Sequence, residues 1–92
     1  MGLDFLDLEF RIEKEFNIKI SYDEMRLFFL KHPSDARVSD YALFVKSIIK
    51  AQHGKVTVDV LERVQFHVSV CLDMPIESVT PDAWFVRDLG ME

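Results

Sequence analysis

The chain has 92 residues, close to half of them apolar, and a formal net charge of −5. This length suits one domain over residues 1–92 with a single hydrophobic core, and the composition excludes a disordered chain. The acidic balance argues against nucleic acid as a partner. No apolar run is long enough to span a bilayer and no secretory leader is recognisable, so we expect a cytoplasmic monomer that does not bind membranes.

The first predicted element is a helix from about Leu3 to Phe16. Apolar residues recur at helical spacing and predict an inward-facing stripe of Phe5, Leu8, Ile12 and Phe16. Asp4 and Asp7 lie in or near the first turn, where carboxylates complement the helix dipole. Leu6 and Phe10 fall to one side of this stripe, and they are either the margin of the core or part of a binding surface.

Two further helices are predicted from residue 21 to residue 53. Ser21 and Glu24 form a capping-box pattern that starts a short helix over residues 22–30, which the following His32-Pro33 pair ends. The next helix is expected to begin with Ser39 as N-cap and to end at Gly54. Its buried face is predicted to consist of Tyr41, Val45, Ile48 and Ile49.

The segment from Thr57 to Leu72 has two interpretations. Residues 64–70 alternate between apolar and polar as a half-buried strand would, but a helix stripe with Thr57 as N-cap also fits. We predict a helix, because no other segment offers this strand a partner. Residues 73–88 are then a long loop, with one tight helical turn at Thr80-Pro81 and a Trp84-Phe85 anchor to the core.

Side chains suited to catalysis or metal binding are sparse. The three histidines lie on separate segments without ligand spacing, so no metal site is predicted. Cys71 lies on an apolar stripe, which indicates a buried, inert thiol rather than a nucleophile. No nucleophile–base pair and no phosphate-binding glycine loop is present in the sequence. We therefore predict no catalytic residues and a protein that is not an enzyme.

The charges are unevenly distributed along the chain. Residues 73–92 and 1–16 together hold ten acidic and three basic residues, a net charge of −7, whereas residues 17–72 carry +2. A concentrated acidic surface suits a partner with a basic patch. The alternative is a solvated helix surface without a binding role.

The last eight residues form a loop motif, Phe85-Val86-Arg87-Asp88-Leu89-Gly90-Met91-Glu92, that is typical of the approach to a helix. Placed after Glu92, the helix that begins at Gly2-Leu3-Asp4 continues this motif in register. The composite resembles the acyl and peptidyl carrier proteins. Their signature is an aromatic residue, a short acidic run, Leu-Gly-x-Asp-Ser-Leu-Asp and an acidic amphipathic helix. The motif residues that carry the resemblance in the loop are Phe85, Asp88, Leu89 and Gly90.

The resemblance implies an all-α, acyl-carrier-like four-helix bundle, with three main helices and one short helix, in circularly permuted order. The five-residue linker 52–56 would join the two ends of a conventional carrier. Carriers bear 4′-phosphopantetheine on a serine, and that position falls on Gly2 here. Since glycine has no side chain to accept the group, we expect no cofactor on this chain.

Carrier proteins serve fatty acid or polyketide biosynthesis by docking to enzymes that have basic patches. The resemblance places partner recognition on Glu92, Leu3, Asp4, Leu6, Asp7, Phe10 and Glu13. The alternative function is a non-carrier helical interaction protein that binds a partner or an apolar ligand. Because Met1 and Gly2 offer no capping oxygen, we also expect residues 1–4 and 89–92 to be loosely held.

Overall fold

Helix α1 spans Leu3–Phe16 in the computed structural model, which describes residues 3–91 of the chain. It is followed by α2 (Tyr22–Lys31), α3 (Val38–His53), α4 (Val60–Leu72) and a 3-10 turn (Ile76–Ser78). Within residues 3–91 there is no strand, so the all-α class, with three main helices and a short one in a small bundle, is confirmed. The strand considered for residues 64–70 is wrong.

The helices bury the apolar stripes that their spacing predicts. In α1 the buried residues are Phe5, Leu8 and Ile12, with Phe16 partly buried against the core. In α3 the whole predicted set is buried, as are Val38 and Ala42. In α4 the innermost residues are Val64 and Val68, while Leu61 and Cys71 are half-buried. Periodicity therefore predicted which face of each helix forms the core.

The ends of α1, α2 and α3 follow local capping rules. Asn17 adopts the left-handed conformation that ends α1 (φ 52°). Ser21 Oγ accepts from the Glu24 N–H, and Glu24 Oε1 accepts from the Ser21 N–H, which completes the predicted capping box of α2. Gly54 ends α3 with a φ of 82°, and its N–H donates to the Lys50 carbonyl.

The N-cap of helix α3 lies two residues earlier than predicted, at Arg37 instead of Ser39. Arg37 is the N-cap residue, and its N–H donates to Asp40 Oδ2 at 2.9 Å. The N–H groups of Val38 and Ser39 donate to loop carbonyls, those of Ala83 and Pro81. These loop carbonyls satisfy helix amides that a side-chain cap would otherwise serve, and sequence spacing alone does not reveal them.

Helix α4 begins later than predicted, and Thr57 is not its N-cap. Asp59 occupies that position, and its Oδ1 accepts from the Glu62 N–H at 3.2 Å. Asp is among the strongest N-cap residues, so it defines the start although Thr57 also carries a suitable oxygen.

Of the three main helices, α1 and α3 end at the same side of the bundle, and α4 runs back from that side. Near the end of α3, Gln52 bonds to the backbone of Lys19, and His53 Nε2 lies 2.9 Å from the Asn17 carbonyl oxygen. The carboxyl ends of α1 and α3 therefore lie side by side. Helix α4 runs antiparallel to α1, since Arg63 near its start pairs with Glu15 near the end of α1.

The loop after α4 is part of the core. Phe85 is fully buried, and its ring centroid lies 5.0 Å from that of Phe5 and 5.9 Å from that of Tyr41. This confirms Phe85 as the predicted anchor, whereas Trp84 is half-buried and its ring contacts the guanidinium groups of Arg37 and Arg87. The helical turn predicted at Thr80-Pro81 is wrong, because the 3-10 turn lies at Ile76–Ser78 and residue 80 begins a simple hydrogen-bonded turn.

The end of the described chain is also packed, contrary to the expectation of a loose segment from residue 89. Met91 is 2% exposed, and its N–H donates to the Phe85 carbonyl at 2.8 Å. Gly90 has a φ of 67°, a conformation that favours glycine and lets the chain turn back onto the core. Leu3 and Asp4 belong to α1, and Gly2 and Glu92 lie outside the described residues.

Asp35, in the connection between α2 and α3, fixes the C-terminal loop to the bundle. Its carboxylate accepts from the N–H groups of Val86 (3.0 Å), Arg87 (2.9 Å) and its neighbour Ala36 (2.8 Å). Burial raises the pKa of Asp35, but these three hydrogen bonds outweigh burial and hold the pKa below its ordinary value. The ionised carboxylate is thus the form that holds the loop.

We predict that Asp35→Ala lowers the free energy of unfolding by about 1–3 kcal/mol, because it removes a charged acceptor shared by three amides. Urea unfolding followed by circular dichroism measures this loss. The exposed Asp82→Ala, in the C-terminal loop that Asp35 holds, is the matched control and should change stability by less than about 0.5 kcal/mol. Equal losses from the two variants would contradict a specific role for Asp35.

Candidate functional site: an apolar groove beside α1

Three apolar side chains of α1 point into solvent. Leu3 is 81% exposed, Leu6 47% and Phe10 62%. They lie outside the buried stripe of this helix, so the core does not require them to be apolar. Of the two interpretations given for Leu6 and Phe10, the margin of the core is therefore the weaker one.

A groove with a volume of about 710 Å³ runs between α1 and α2. Leu3 and Leu6 form part of its α1 side, where Glu9 joins them; Tyr22, Arg26 and Leu30 belong to its α2 side. The groove is mainly apolar, with one acidic and one basic side chain. The described residues that line it are Leu3, Phe5, Leu6, Glu9, Tyr22, Met25, Arg26, Phe29, Leu30 and Pro33.

The structure divides the predicted partner-recognition set. Leu3 and Leu6 line the groove, whereas Phe10 and Glu13 line a second depression together with Lys14, Ile18 and Lys19. Asp4 and Asp7 lie on α1 but line neither depression.

The α2 side of the groove was not identified from the sequence. Tyr22 is 82% exposed and Leu30 is 64% exposed, although both lie on a helix whose buried residues are Met25 and Phe28. The sequence did carry one signal for this side of the groove: α2 has more apolar residues than one buried stripe needs. The position of Tyr22 and Leu30 opposite α1, however, depends on tertiary packing, which the spacing within α2 does not report.

Several acidic side chains of the predicted recognition face are engaged within the protein. Glu13 Oε2 accepts from the Ile20 N–H at 2.8 Å, and Asp7 Oδ2 lies 3.3 Å from Arg11 Nε. Hydrogen bonds from Cys71 and then Arg11 lower the pKa of Asp7. The pKa of Glu9 is raised, first by burial and then by the nearby Glu13. The acidity of α1 is therefore only partly available to a partner.

Glu15 lies in an ion-pair cluster that joins α1 to α4. Its carboxylate accepts from Arg63 Nε and Nη2, both at 2.8 Å, and lies 2.7 Å from Nε2 of the buried His67. The Arg63 hydrogen bonds lower the pKa of Glu15 to about 2; burial opposes this effect and the His67 contact adds to it. His67 Nδ1 is buried without a hydrogen-bond partner among the described residues.

We predict that Glu15→Gln lowers the free energy of unfolding at pH 7 by about 1 kcal/mol, a modest loss because solvent screens a partly exposed pair. The folded-state pKa is lowered, so this stabilisation is complete above about pH 4.5 and is lost as the pH falls towards about 2.

Urea unfolding at pH 7, 4 and 3 tests both points. Glu15→Gln should flatten the loss of stability between pH 4 and 3, whereas the exposed Glu77→Gln should not. If the free energy of unfolding of Glu15→Gln fell with pH as steeply as that of the wild type, the assignment of this pH dependence to Glu15 would be contradicted.

The loop motif is held against the start of α1. Phe85 packs on Phe5, Asp88 Oδ2 accepts from the Trp84 N–H at 2.9 Å, and the partly buried Leu89 contacts the core. The structure therefore brings the loop motif and the first turns of α1 together. Gly2, the position that matches the modified serine of carriers, lies outside the described residues.

Groups that often mark catalytic or metal sites are buried or dispersed. Burial, followed by hydrogen bonding to Asp7, raises the pKa of Cys71 to about 12, so the thiol stays protonated. Burial, and then the charges of Glu9 and Glu13, raise the pKa of Tyr41, whose buried hydroxyl has no hydrogen-bond partner among the described residues. Residues 3–91 contain no group of three or more side chains arranged to hold a metal ion.

Comparison of the chain with known protein families, with curated proteins and with solved structures finds no match in any of the three. Among the helices in the described part of the chain, none combines the length and apolarity required to cross a membrane.

Proposed function

We propose that this protein is a non-catalytic binding module of acyl-carrier type that presents the α1–α2 groove and the adjoining surface of α1 to a partner enzyme. The observation that carries the proposal is the exposure of Leu3, Leu6 and Phe10 on a helix that also carries Asp4 and Asp7. Apolar side chains grouped with charged ones on a surface are typical of protein interfaces.

The partner expected for this surface is a protein with an apolar contact ringed by basic side chains. Leu3 and Leu6 supply apolar area that dehydrates on binding, and the remaining carboxylates of α1 favour a positive partner surface. Among residues 3–91, Arg26 on the α2 side is the basic residue that lines the groove. Nucleic acid does not suit this acidic surface, because its phosphates would be repelled.

The carrier-type part of the proposal rests on the sequence. The loop motif that ends at Gly90 and the helix that begins at Leu3 form the carrier signature when joined, and the contact between Phe85 and Phe5 is compatible with that order. This suggests recruitment to enzymes of fatty acid or polyketide biosynthesis. Gly2 has no oxygen to accept 4′-phosphopantetheine, so the group does not fit the residues present, and the proposed role is binding without loading.

Titration with a phosphopantetheinyl transferase, used as a model carrier-binding enzyme with a basic patch, tests the interaction. The wild-type chain should bind, and the affinity should fall with added salt because charges contribute. Leu6→Ala and Phe10→Ala should each weaken binding by about threefold to tenfold. Val58→Ala, at an exposed position outside the groove, should leave binding unchanged. Equal losses from all three variants would contradict the assigned surface.

Incubation with the same transferase and coenzyme A tests loading. We expect the intact mass of the wild-type chain to stay unchanged, because glycine at position 2 offers no acceptor atom. Gly2→Ser is the matched variant, and a gain of one phosphopantetheine arm by that variant alone would support the carrier assignment. A gain by the wild-type chain would show that another side chain is modified and would contradict the proposal.

The groove supports a second candidate function, a non-carrier interaction protein that holds an apolar ligand. Its volume of about 710 Å³ lies within the range of small-molecule sites, and apolar side chains dominate its lining. Octanoate is a suitable probe. Chemical-shift changes confined to residues around Leu6 and Leu30, in a protein that binds no transferase, would favour this function over the carrier-type module.

A further inference from the structure

The outward face of α2 is a second apolar surface, which adjoins the α1–α2 groove at Leu30 and is centred on Leu27. At 100° per residue, Asp23, Leu27, Leu30 and Lys31 lie on the side of the helix opposite the buried Met25. Leu27 is 63% exposed and Leu30 is 64% exposed. Nothing in the described part of the chain covers them. A 10-residue helix therefore presents two leucines to solvent between an acid in its first turn and a base in its last turn.

This face is complementary to itself. Suppose that two copies of α2 pack antiparallel about a two-fold axis at residue 27. A residue that precedes Leu27 by a given number of positions in one copy then lies opposite the residue that follows Leu27 by the same number in the other copy. Asp23 and Lys31 each lie four positions from Leu27. Asp23 of each copy would then face Lys31 of the other copy, giving two equivalent pairs. Neither side chain has an ion-pair partner among residues 3–91.

Helix α3 extends the apolar part of this face. Leu43 is 65% exposed and lines a groove of about 640 Å³ between α2 and α3, together with Leu27 and Leu30. Thus the surface has apolar residues at its centre and opposite charges towards its two ends. Two-fold symmetric interfaces have this organisation, since one patch must match itself.

We propose that the protein forms a two-fold symmetric dimer in which the α2 helices of two copies pack antiparallel through Leu27, with Asp23 of each copy paired to Lys31 of the other. This goes beyond the partner-binding function, which uses α1 and the α2 residues that line the α1–α2 groove; Leu30 borders both surfaces, whereas Leu27, Asp23 and Lys31 belong to the dimer face alone. The surface of one short helix and a neighbouring leucine is smaller than the roughly 1,600 Å² typical of stable complexes. Accordingly the dimer is expected to be weak and reversible.

Sedimentation equilibrium of the full 92-residue chain, from about 10 µM to about 1 mM, tests the proposal. The wild-type chain should self-associate within this range. Asp23→Lys and Lys31→Glu, each alone, should raise the dimer dissociation constant at least about tenfold, because each places two like-charged pairs in the interface. An equimolar mixture of the two variants should associate to within about threefold of wild type, since both pairs in the mixed dimer again join opposite charges.

The mixture makes the test independent of folding, because mixing two variants does not repair a helix weakened by an unfavourable charge. Leu27→Asp should abolish self-association, whereas Phe10→Asp, at an equally exposed position on α1 (62%), should not alter it. A wild-type chain that stays monomeric at every concentration overturns the proposal. So does a mixture that remains as monomeric as its two components, or an equal loss from Leu27→Asp and Phe10→Asp.

Discussion

The burial of Phe85 is the contact on which the arrangement of the helices depends. Its ring packs against Phe5 of α1 and Tyr41 of α3, so one residue of the C-terminal loop joins two helices that are distant in sequence. Loss of a buried phenylalanine side chain typically costs about 3–5 kcal/mol, which is a large share of the stability of a domain this small. With a single cysteine in the chain, no internal disulfide supplements this packing.

Helix α2 contributes both to the core and to the proposed binding surfaces. Its buried residues are Met25 and Phe28, and Phe28 joins an aromatic cluster with Tyr41 and Phe44 of α3. A short helix gains little from propensity alone, so this packing is what holds it in place. The exposed Tyr22, Leu27 and Leu30 of α2 add nothing comparable to the core. Their exposure costs solvation free energy, which a partner surface would recover.

The sequence predicted the elements that depend on neighbouring residues and missed those that depend on distant ones. Apolar periodicity located α1, α3 and α4, and the Ser21–Glu24 capping box located α2. The capping box and Gly54 were found because their partners lie within four positions. The start of α3 was misplaced since carbonyl groups of the loop after α4 bond to its first amides. For the site, the angles of Leu6 and Phe10 on α1 set them beside the buried stripe but left the margin of the core and a binding surface as alternatives. The α2 side of the groove and the Glu15 cluster were not predicted, because both depend on contacts between helices: Glu15 bonds to residues 48 and 52 positions away.

Several acidic residues of the acidic segments are engaged within the fold. Of the ten acids in the acidic segments, Asp7, Glu13, Glu15 and Asp88 accept hydrogen bonds from within the protein. These carboxylates stabilise the fold through hydrogen bonds, and reversing their charge would weaken the bundle as well as any complex. The net charge of −7 therefore overstates what a partner meets. Affinity at the α1–α2 groove must come mainly from apolar contacts such as Leu6, while the remaining charges orient the partner and accelerate its approach.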